Sequence, residues 1–317
     1  MSEIISKTDS VCSVRLPVGE TLEIRRNMLI PADKAKNSGK RICIVTGIHG
    51  DELEGQYVCY EVIKRIKEHP ELLSGQVEVY PAMNPLGIDS VTRGIPGFDL
   101  DMNRIFPGSG QGSMAEYVAH KVIEAISGAD LAVDIHASNI YLTEIPQIRI
   151  NELHQNELVP LAEKMNVDFV WVHAASTVLE STFAYSLNST GTPTLVVEAG
   201  VGMRITKNYC EQLTDGLFNT MHALGIWQGE VRGIREPIVS GDDEAVVFFN
   251  APGAGIFVPE AKHWTRLKKG DLVGRIVNPL LGEVVSEITT PEDGILFTIR
   301  EYPVVDEGSL VGRLLKQ

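Results

Sequence analysis

Two side chains able to bind a metal stand three residues apart near the start of the chain. They are His49 and Glu52, within the segment RICIVTGIHGDELEG of residues 41–55. An imidazole and a carboxylate at this spacing can bind one small cation, and zinc accepts both donors while keeping a coordination position open in catalytic sites. The pair alone is a weak signal, because a turn-capping histidine followed by a solvated glutamate in a first helical turn would look the same.

Two further candidates come at the ends of later apolar runs. His136 ends the run LAVDIH; it would be the third ligand of a zinc site with two histidines and one glutamate, or an ordinary turn histidine. Asp134, two residues earlier, could orient that imidazole. Glu198 follows the run TLVV, where a buried carboxylate would destabilise the fold unless it has a function or an ion-pair partner. It could be a general base and acid, a fourth ligand or half of an ion pair.

Two arginines, Arg93 and Arg104, stand in the long irregular segment of residues 84–112, whose apolar side chains indicate a packed loop. The guanidinium group is a rigid fork of donors that matches a carboxylate. We therefore expect this loop to recognise an anionic group of a substrate. Pairing with Asp99 or Asp101, to hold the loop, is the alternative role for either arginine.

The elements that position these residues are predicted from hydrophobic periodicity. Residues 42–45 are apolar and largely β-branched, which is typical of a buried strand, and residues 53–67 have helical spacing. Residues 76–81 alternate as a second strand, so the order strand, helix, strand predicts a mostly parallel sheet. His49 and Glu52 then lie on the turn at the carboxyl end of a strand, where such folds bind their ligands.

The later part of the chain changes character. Further helices are expected at residues 115–127, 156–165 and 208–224, and further strands at residues 131–136, 169–172 and 194–197, with polar linkers elsewhere in residues 145–190. Beyond about residue 232, helical periodicity ends and short strands alternate with glycine and proline turns. We predict an α/β catalytic domain over residues 1–232 and an all-β domain over residues 233–317.

Composition excludes several classes of partner. The chain has 317 residues, with 28 basic and 42 acidic side chains and a net charge of −14, which argues against nucleic acid or an anionic membrane surface. The four cysteines form no CxxC pair, which favours a reducing compartment. Since no signal peptide or apolar run of about 20 residues is present, we expect a soluble cytoplasmic protein. The sequence leaves open whether it forms a homo-oligomer.

Taken in order, the motifs GIHGDE, VTR, MNR, DIH and VVEAG resemble those of the succinylglutamate desuccinylase/aspartoacylase family, relatives of the zinc carboxypeptidases. The resemblance spans residues 47–200, and order, residue type and approximate spacing all agree. It implies a zinc-carboxypeptidase-like fold with a mixed, mostly parallel sheet and flanking helices. It also implies one zinc ion per chain, bound by His49, Glu52 and His136.

The same resemblance implies roles for the other candidates. Asn103 and Arg104 would contact the substrate and its developing oxyanion, with Arg104 stabilising the oxyanion. Arg93 would join Asn103 in holding a substrate carboxylate. Glu198 would be the catalytic glutamate that takes a proton from water and returns it to the leaving amine. The implied reaction is hydrolysis of an amide that links an acyl group to an amino acid, so the partner is a small-molecule N-acyl amino acid.

Two features of the sequence differ from the patterns of the proteins that it resembles. Where aspartoacylase would have an additional substrate arginine, residues 184–193 read AYSLNSTGTP, which favours the broader bacterial branch whose substrates include N-acetylated diamino acids. The C-terminal segment resembles the barrel-sandwich fold of biotinyl and lipoyl carriers. Its turn region VNPLLGEVVSEI has no lysine to modify, while Lys268 and Lys269 lie earlier in an ordinary turn. The module is therefore expected to shield the active site or build an oligomer interface.

Three other functions remain open at this point. A metallocarboxypeptidase with the same metal site would act on peptides, and an esterase would use the same chemistry on esters. A non-catalytic binding module would lack a ligand or the glutamate, and none is missing. Another divalent metal could replace zinc, because sites with two histidines and one carboxylate are not exclusive.

Overall fold

The computed structural model describes residues 4–97, 100–174, 180–241 and 243–316, with the backbone alone described at Asp243. Asp99, one of the two carboxylates considered as a partner of the loop arginines, lies outside these residues. In chain order, the elements of the first part are β1 (Ile4–Arg15), β2 (Thr21–Pro31), β3 (Arg41–Thr46), α1 (Glu54–Glu68), β4 (Gln76–Tyr80), α2 (Pro85–Ser90), α3 (Met114–Ile126), β5 (Leu131–His136), β6 (Leu142–Asn151), α4 (Gln155–Ala162), β7 (Phe169–His173), α5 (Phe183–Ser189), β8 (Thr194–Gly200) and α6 (Lys207–Ala223).

The remaining elements are strands. They are β9 (Ile238–Ser240), β10 (Val246–Asn250), β11 (Gly255–Pro259), β12 (Thr265–Leu267), β13 (Leu272–Asn278), β14 (Glu283–Thr289), β15 (Gly294–Arg300), β16 (Val304–Val305) and β17 (Leu310–Lys316). The predicted change from mixed α/β to all-β structure is therefore present. Among the described helices, none is long and apolar enough to cross a membrane.

One large mixed sheet connects most of these strands. Its order is β1-β2-β4-β3-β5-β8-β6-β15-β17-β10. The four central strands β4, β3, β5 and β8 are parallel, as the order strand, helix, strand predicted. Antiparallel strands extend the sheet on both sides of this centre. The predicted fold class, a mixed α/β sheet with flanking helices followed by an all-β unit, is confirmed.

Strand β3 shows how the central sheet is packed. Ile42 and Ile44 face a cluster that includes the apolar sides of α1 and α6. Cys43 and Val45 point to the opposite face, where they join a cluster with α3 and α5. Because alternate side chains of a strand point to opposite faces, a strand covered by helices on both sides must be apolar throughout. This is why the run was recognisable, and it places the end of β3 between two rigid layers.

The C-terminal strands are joined to the catalytic part through the sheet itself. Strands β14-β13-β11-β16 form a separate antiparallel sheet, which packs on strands of the large sheet through a core that includes Phe257, Ile276 and Leu314. β15 pairs with β6 in the register Thr298 to Glu144. The division at residues 232 and 233 stays a prediction, and the continuity of the sheet across it is a feature that periodicity did not show.

Candidate metal centre and active site

The predicted ligands are positioned by the carboxyl ends of two neighbouring parallel strands. His49 and Glu52 lie in the turn between β3 and α1, and His136 is the last residue of β5. Gly50 lets this turn pass close to the chain at Gly87, since a β-carbon at Gly50 would lie 2.0 Å from the Gly87 carbonyl carbon. The turn therefore requires glycine at that position.

The three side chains converge on one small volume. The Nδ1 atoms of His49 and His136 lie 3.2 Å apart. The two carboxylate oxygens of Glu52 lie 2.7 Å from His49 Nδ1 and 2.9 Å from His136 Nδ1. One ligand atom from each residue can be chosen so that all lie within 4.8 Å of one another, and all three residues are buried. The structure thus brings together the three residues that the sequence analysis proposed as metal ligands.

Carboxylates behind the two imidazoles determine which ring nitrogens face this volume. His136 Nε2 donates to Asp134 Oδ2 over 3.0 Å, and His49 Nε2 donates to Asp101 Oδ1 over 3.1 Å. In the neutral form each ring carries one N–H, which these carboxylates hold at Nε2, so that both rings present Nδ1 lone pairs to the shared volume. The expectation that Asp134 orients His136 agrees with this contact. Asp101 plays the corresponding part for His49.

Two imidazole lone pairs and a carboxylate that face each other require a cation or protons between them. Burial opposes charge on His136, yet the charges of Asp134 and Glu52 raise its pKa well above the ordinary value. Burial also opposes charge on Glu52, yet His136 and His49 lower its pKa to about 2. The donor set, two imidazole nitrogens and one carboxylate, fits a divalent metal such as zinc with a further coordination position open.

The loop arginines are placed differently from each other. Arg93 Nη1 donates to Glu52 Oε1 over 3.0 Å, and its Nη2 donates to Asp101 Oδ2 over 3.3 Å. Arg104 Nη1 donates to the backbone oxygen of Asn103 and lies 4.0 Å from Asp101 Oδ2. Both arginines are more than 40% exposed. The alternative role of pairing with Asp101 is therefore real for Arg93, which nevertheless contacts the candidate metal ligand.

Glu198 lies on β8, in register with His136 on the neighbouring strand β5. Its Oε1 is 3.4 Å from Arg149 Nη1, and 15% of its side chain is exposed. Burial raises the pKa of Glu198, and the nearby Arg149 acts in the opposite direction. A carboxylate whose pKa is raised by burial holds a proton more readily than an ordinary glutamate does.

A pocket of about 220 Å³ opens above these groups. The predicted residues on its wall are His49, Arg93, Asn103, Arg104, His136 and Glu198. Glu52 is buried against the two imidazoles. Asn103 Oδ1 also accepts a hydrogen bond from the backbone N–H of Phe183, which ties the loop to α5. Neutral polar side chains, among them Tyr185 and Asn188, also line the pocket.

The sequence analysis missed one residue that contacts Glu198, the candidate general base. Arg149 lies on β6, within residues expected to be polar linkers. A signal was present, since Ile148 and Ile150 alternate with polar side chains, but Pro146 interrupts the pattern. Asp101 was considered as a partner for an arginine and not for His49.

Comparison with known proteins gives a consistent set of similarities. The family described as Succinylglutamate desuccinylase/Aspartoacylase catalytic domain matches residues 38–224, more than half of the chain. The chain is 23% identical over 297 residues to the N-alpha-acetyl-L-2,4-diaminobutyric acid deacetylase of Halomonas elongata, covering 92% of this chain and 86% of the relative.

Two solved structures have a similar fold over nearly their full length. The product-bound ectoine utilization protein EutE (DoeB) from Ruegeria pomeroyi has a TM-score of 0.81 at 20% identity, covering 99% of this chain and 95% of the other. A succinylglutamate desuccinylase/aspartoacylase from Rhodobacter sphaeroides has a TM-score of 0.80 at 23% identity, covering 99% and 96%. At these identities the likeness establishes the fold alone.

Proposed function

Because the chain belongs to the succinylglutamate desuccinylase/aspartoacylase family, we propose that it is a zinc-dependent hydrolase of the amide bond in a small N-acyl amino acid. The observation that carries this proposal is the convergence of His49 Nδ1, His136 Nδ1 and Glu52 beside Glu198. The name of the curated relative, an N-acetylated diamino acid deacetylase, supports the same class of reaction.

His49, Glu52 and His136 would hold one metal ion per chain. Zinc in such a site supplies Lewis acidity, polarising a carbonyl oxygen and lowering the pKa of water from about 15.7 to about 7. The chain contributes the geometry, because Asp134 and Asp101 fix the two imidazoles with Nδ1 facing inward.

Glu198 is the proton carrier in this proposal. Its carboxylate accepts a proton from the attacking water and returns it to the amine nitrogen that leaves. Burial raises the pKa of Glu198, so its carboxylate holds a proton more readily than an exposed glutamate would. Arg149 keeps this carboxylate on the pocket wall.

The two loop arginines would divide the recognition of the substrate. Arg93 donates a hydrogen bond to Glu52 and so lies next to the metal donors. This position favours a role for Arg93 in stabilising the developing oxyanion. Arg104 lies on the wall beside Asn103, with guanidinium nitrogens available for a substrate carboxylate. This division is the reverse of the one implied by the resemblance. It predicts that Arg104→Ala mainly raises KM and that Arg93→Ala mainly lowers kcat.

The charges on the pocket wall favour a substrate with one carboxylate. Arg149 is neutralised by Glu198 and by the buried Glu144 on β6, and Arg93 by Glu52 and Asp101. Arg104 has only a distant carboxylate, Asp101 Oδ2 at 4.0 Å, which Arg93 already contacts more closely. Among the described arginines of the wall, Arg104 is therefore the most weakly paired and the best placed to bind a substrate carboxylate. N-acylated monocarboxylic amino acids, including diamino acids, fit this count better than N-acyl aspartate or glutamate.

The decisive experiment measures metal content together with release of free amine from a panel of N-acyl amino acids. We expect one zinc ion per chain and chelator-sensitive release, fastest with monocarboxylic substrates. Glu198→Gln should keep the metal and lose turnover by about 10²–10⁴-fold. Absence of metal after reconstitution, or near-normal turnover in Glu198→Gln, would overturn the proposal. Release from peptides alone would favour a carboxypeptidase.

A further inference from the structure

A second cluster of charged side chains lies between the candidate active site and the C-terminal strands. Its centre is Glu144 on β6, whose side chain is 1% exposed. Glu144 Oε1 accepts hydrogen bonds from Arg149 Nη2 over 3.3 Å and from Arg313 Nη1 over 2.5 Å. Its Oε2 accepts from Gln147 Nε2 over 2.8 Å and from Thr298 Oγ1 over 2.5 Å. Thr298 and Arg313 belong to the C-terminal strands β15 and β17.

An irregularity in β6 creates this cluster. The register of β6 against β8 shifts between Glu144 and Gln147, where Pro146 lies. One extra residue in a strand moves the side chains that follow it to the other face. Glu144 therefore shares a face with Gln147 and Arg149. Glu198 is the cross-strand partner of Gln147, and so it lies on that face as well.

Arg149 is the link between the cluster and the active site. One end of its guanidinium group contacts Glu144 and the other end contacts Glu198. The position of this guanidinium group therefore depends on the attraction of both carboxylates. Arg313 supplies the second positive charge on Glu144, which limits how strongly Glu144 attracts Arg149.

We propose that the C-terminal strands position the catalytic carboxylate, through contacts that run from Arg313 and Thr298 to Glu144, then to Arg149 and Glu198. Arg149, Glu144 and Arg313 are positioning residues, since none of them exchanges the proton. The inference rests on the proposed function, in which Glu198 carries that proton. It gives the C-terminal unit a task beyond shielding the pocket.

The first test replaces Arg313 with methionine, which keeps an unbranched side chain as far as the position of Nε and removes the charged guanidinium group that contacts Glu144. With Arg313 absent, Glu144 should draw Arg149 away from Glu198. Because a displacement of about 1 Å in a catalytic group can cost on the order of a hundredfold, we expect kcat to fall by about tenfold or more. KM and zinc content should stay within about twofold of the wild type.

Arg204 is a matched control for this variant. Its Nη1 lies 2.8 Å from Oε1 of Glu301, the residue that follows β15, so it also forms an ion pair between the catalytic part and the C-terminal unit. None of its contacts involves Glu144. Arg204→Met should leave kcat unchanged. Equal losses of kcat in Arg204→Met and Arg313→Met would show a general effect of loosening the C-terminal unit and would overturn the inference.

A double-mutant cycle tests whether Arg313 affects turnover through Glu198. If Arg313 acts through Glu198, adding Arg313→Met to Glu198→Gln should cause little further loss of turnover, because the group being positioned is already gone. Losses that multiply would contradict the inference. Glu198→Gln with normal turnover would instead overturn the proposed function. Wild-type kcat in Arg313→Met, with inactive Glu198→Gln, would overturn the positioning role alone.

Thr298→Val provides a milder change at the same carboxylate. Valine matches the shape of threonine and removes the hydroxyl that donates to Glu144. We expect a loss of kcat of a few-fold, again with unchanged KM and zinc content. Should Arg313→Met fail to fold, this variant decides the matter, and wild-type kcat in it would overturn the inference.

Discussion

Two buried carboxylates near the central strands have opposite surroundings. Glu78, on β4, accepts hydrogen bonds from Arg26 Nη1 over 2.8 Å, from Tyr80 Oη over 2.5 Å and from Gln76 Nε2 over 2.5 Å, and Arg41 Nη1 lies 3.4 Å away. All of these partners bring their own hydrogens, and two of them bring positive charge. The carboxylate is saturated, as a buried charge must be to remain in a core.

Glu52 is buried to a similar degree and also accepts hydrogen bonds, from Arg93 Nη1 over 3.0 Å and from the Ala137 N–H over 3.1 Å. Its two imidazole neighbours, His49 and His136, are the partners that differ from those of Glu78. In the neutral form, each of these imidazoles directs its one N–H to Asp134 or Asp101, so that its nitrogen lone pair faces Glu52. Burial and proximity are common to the two clusters. The difference lies in the other hydrogen bonds that the partners make. Around Glu52, the imidazoles bond to Asp134 and Asp101 and leave a site that needs a cation. Around Glu78, the partners complete a closed network of ion pairs and hydrogen bonds.

The largest effect is expected from His49→Ala. Removing one of three ligands should abolish metal binding and lower turnover by about a thousandfold or more, since Lewis-acid stabilisation amounts to several kcal/mol and each 1.36 kcal/mol is tenfold. Metal analysis and amine release measure both effects. Added zinc should raise the melting temperature of the wild type and leave this variant unchanged. Full zinc stoichiometry in His49→Ala would remove the distinction between the two clusters.

Glu78→Ala should have the reverse pattern. Loss of the carboxylate leaves Arg26 and Arg41 without their buried partner, a change that typically destabilises by about 3–5 kcal/mol. We expect this loss in denaturant unfolding, with normal zinc content per folded chain. Glu23, which pairs with Arg25 at the surface, is the control, and Glu23→Ala should cost less than about 1 kcal/mol. Zinc loss in folded Glu78→Ala would show that the clusters are coupled.

Asp134→Asn tests whether the second contact defines the metal site. Asparagine can still accept from His136 Nε2, without the charge that makes the imidazole a better ligand. Zinc affinity should fall by about 10–100-fold, measured by competition with a chelator. Asp130→Asn is the matched control, because Asp130 immediately precedes the same strand and binds Lys40 and the Arg41 N–H. Equal affinities in the two variants would refute the orienting role of Asp134.

The smallest effect concerns the outer part of the Glu78 cluster. Asp9 accepts a hydrogen bond from Arg26 Nε over 2.9 Å, and this contact lowers the pKa of Asp9. A lowered native pKa contributes stability that is present above the unfolded value of about 3.9 and lost as pH falls through the native value. Asp9→Asn should therefore cost less than about 1 kcal/mol at pH 7. A difference that persists undiminished at pH 2 would contradict this assignment.

Much of the fold could be predicted because the central strands are buried on both faces. Continuous apolar runs identified β3, β5 and β8, and the helical spacing after Gly55 identified α1. β6 was missed, because Pro146 breaks the alternation and polar side chains such as Arg149 occupy one face. A strand whose polar face is satisfied by a distant part of the chain resembles a linker when read alone.

The candidate site also contains residues that the sequence identified and one whose role it did not reveal. His49, Glu52, His136 and Glu198 were recognised because each lies at the end of an apolar run, and the carboxyl ends of parallel strands meet at one edge. Asp101 was not assigned to His49, since 52 residues separate them and only the loop conformation brings them together.

By itself, the sequence determined which residues could bind a metal and which strands would present them, because side-chain chemistry and hydrophobic periodicity are local properties. The tertiary structure decided which nitrogen of each histidine faces inward, through Asp101 and Asp134. It also decided that a bulge in β6 places Arg149 against Glu198 and that Arg313 shares Glu144 with it. Such contacts depend on strand register between distant segments, and a shift of one residue would reverse every side chain on the strand.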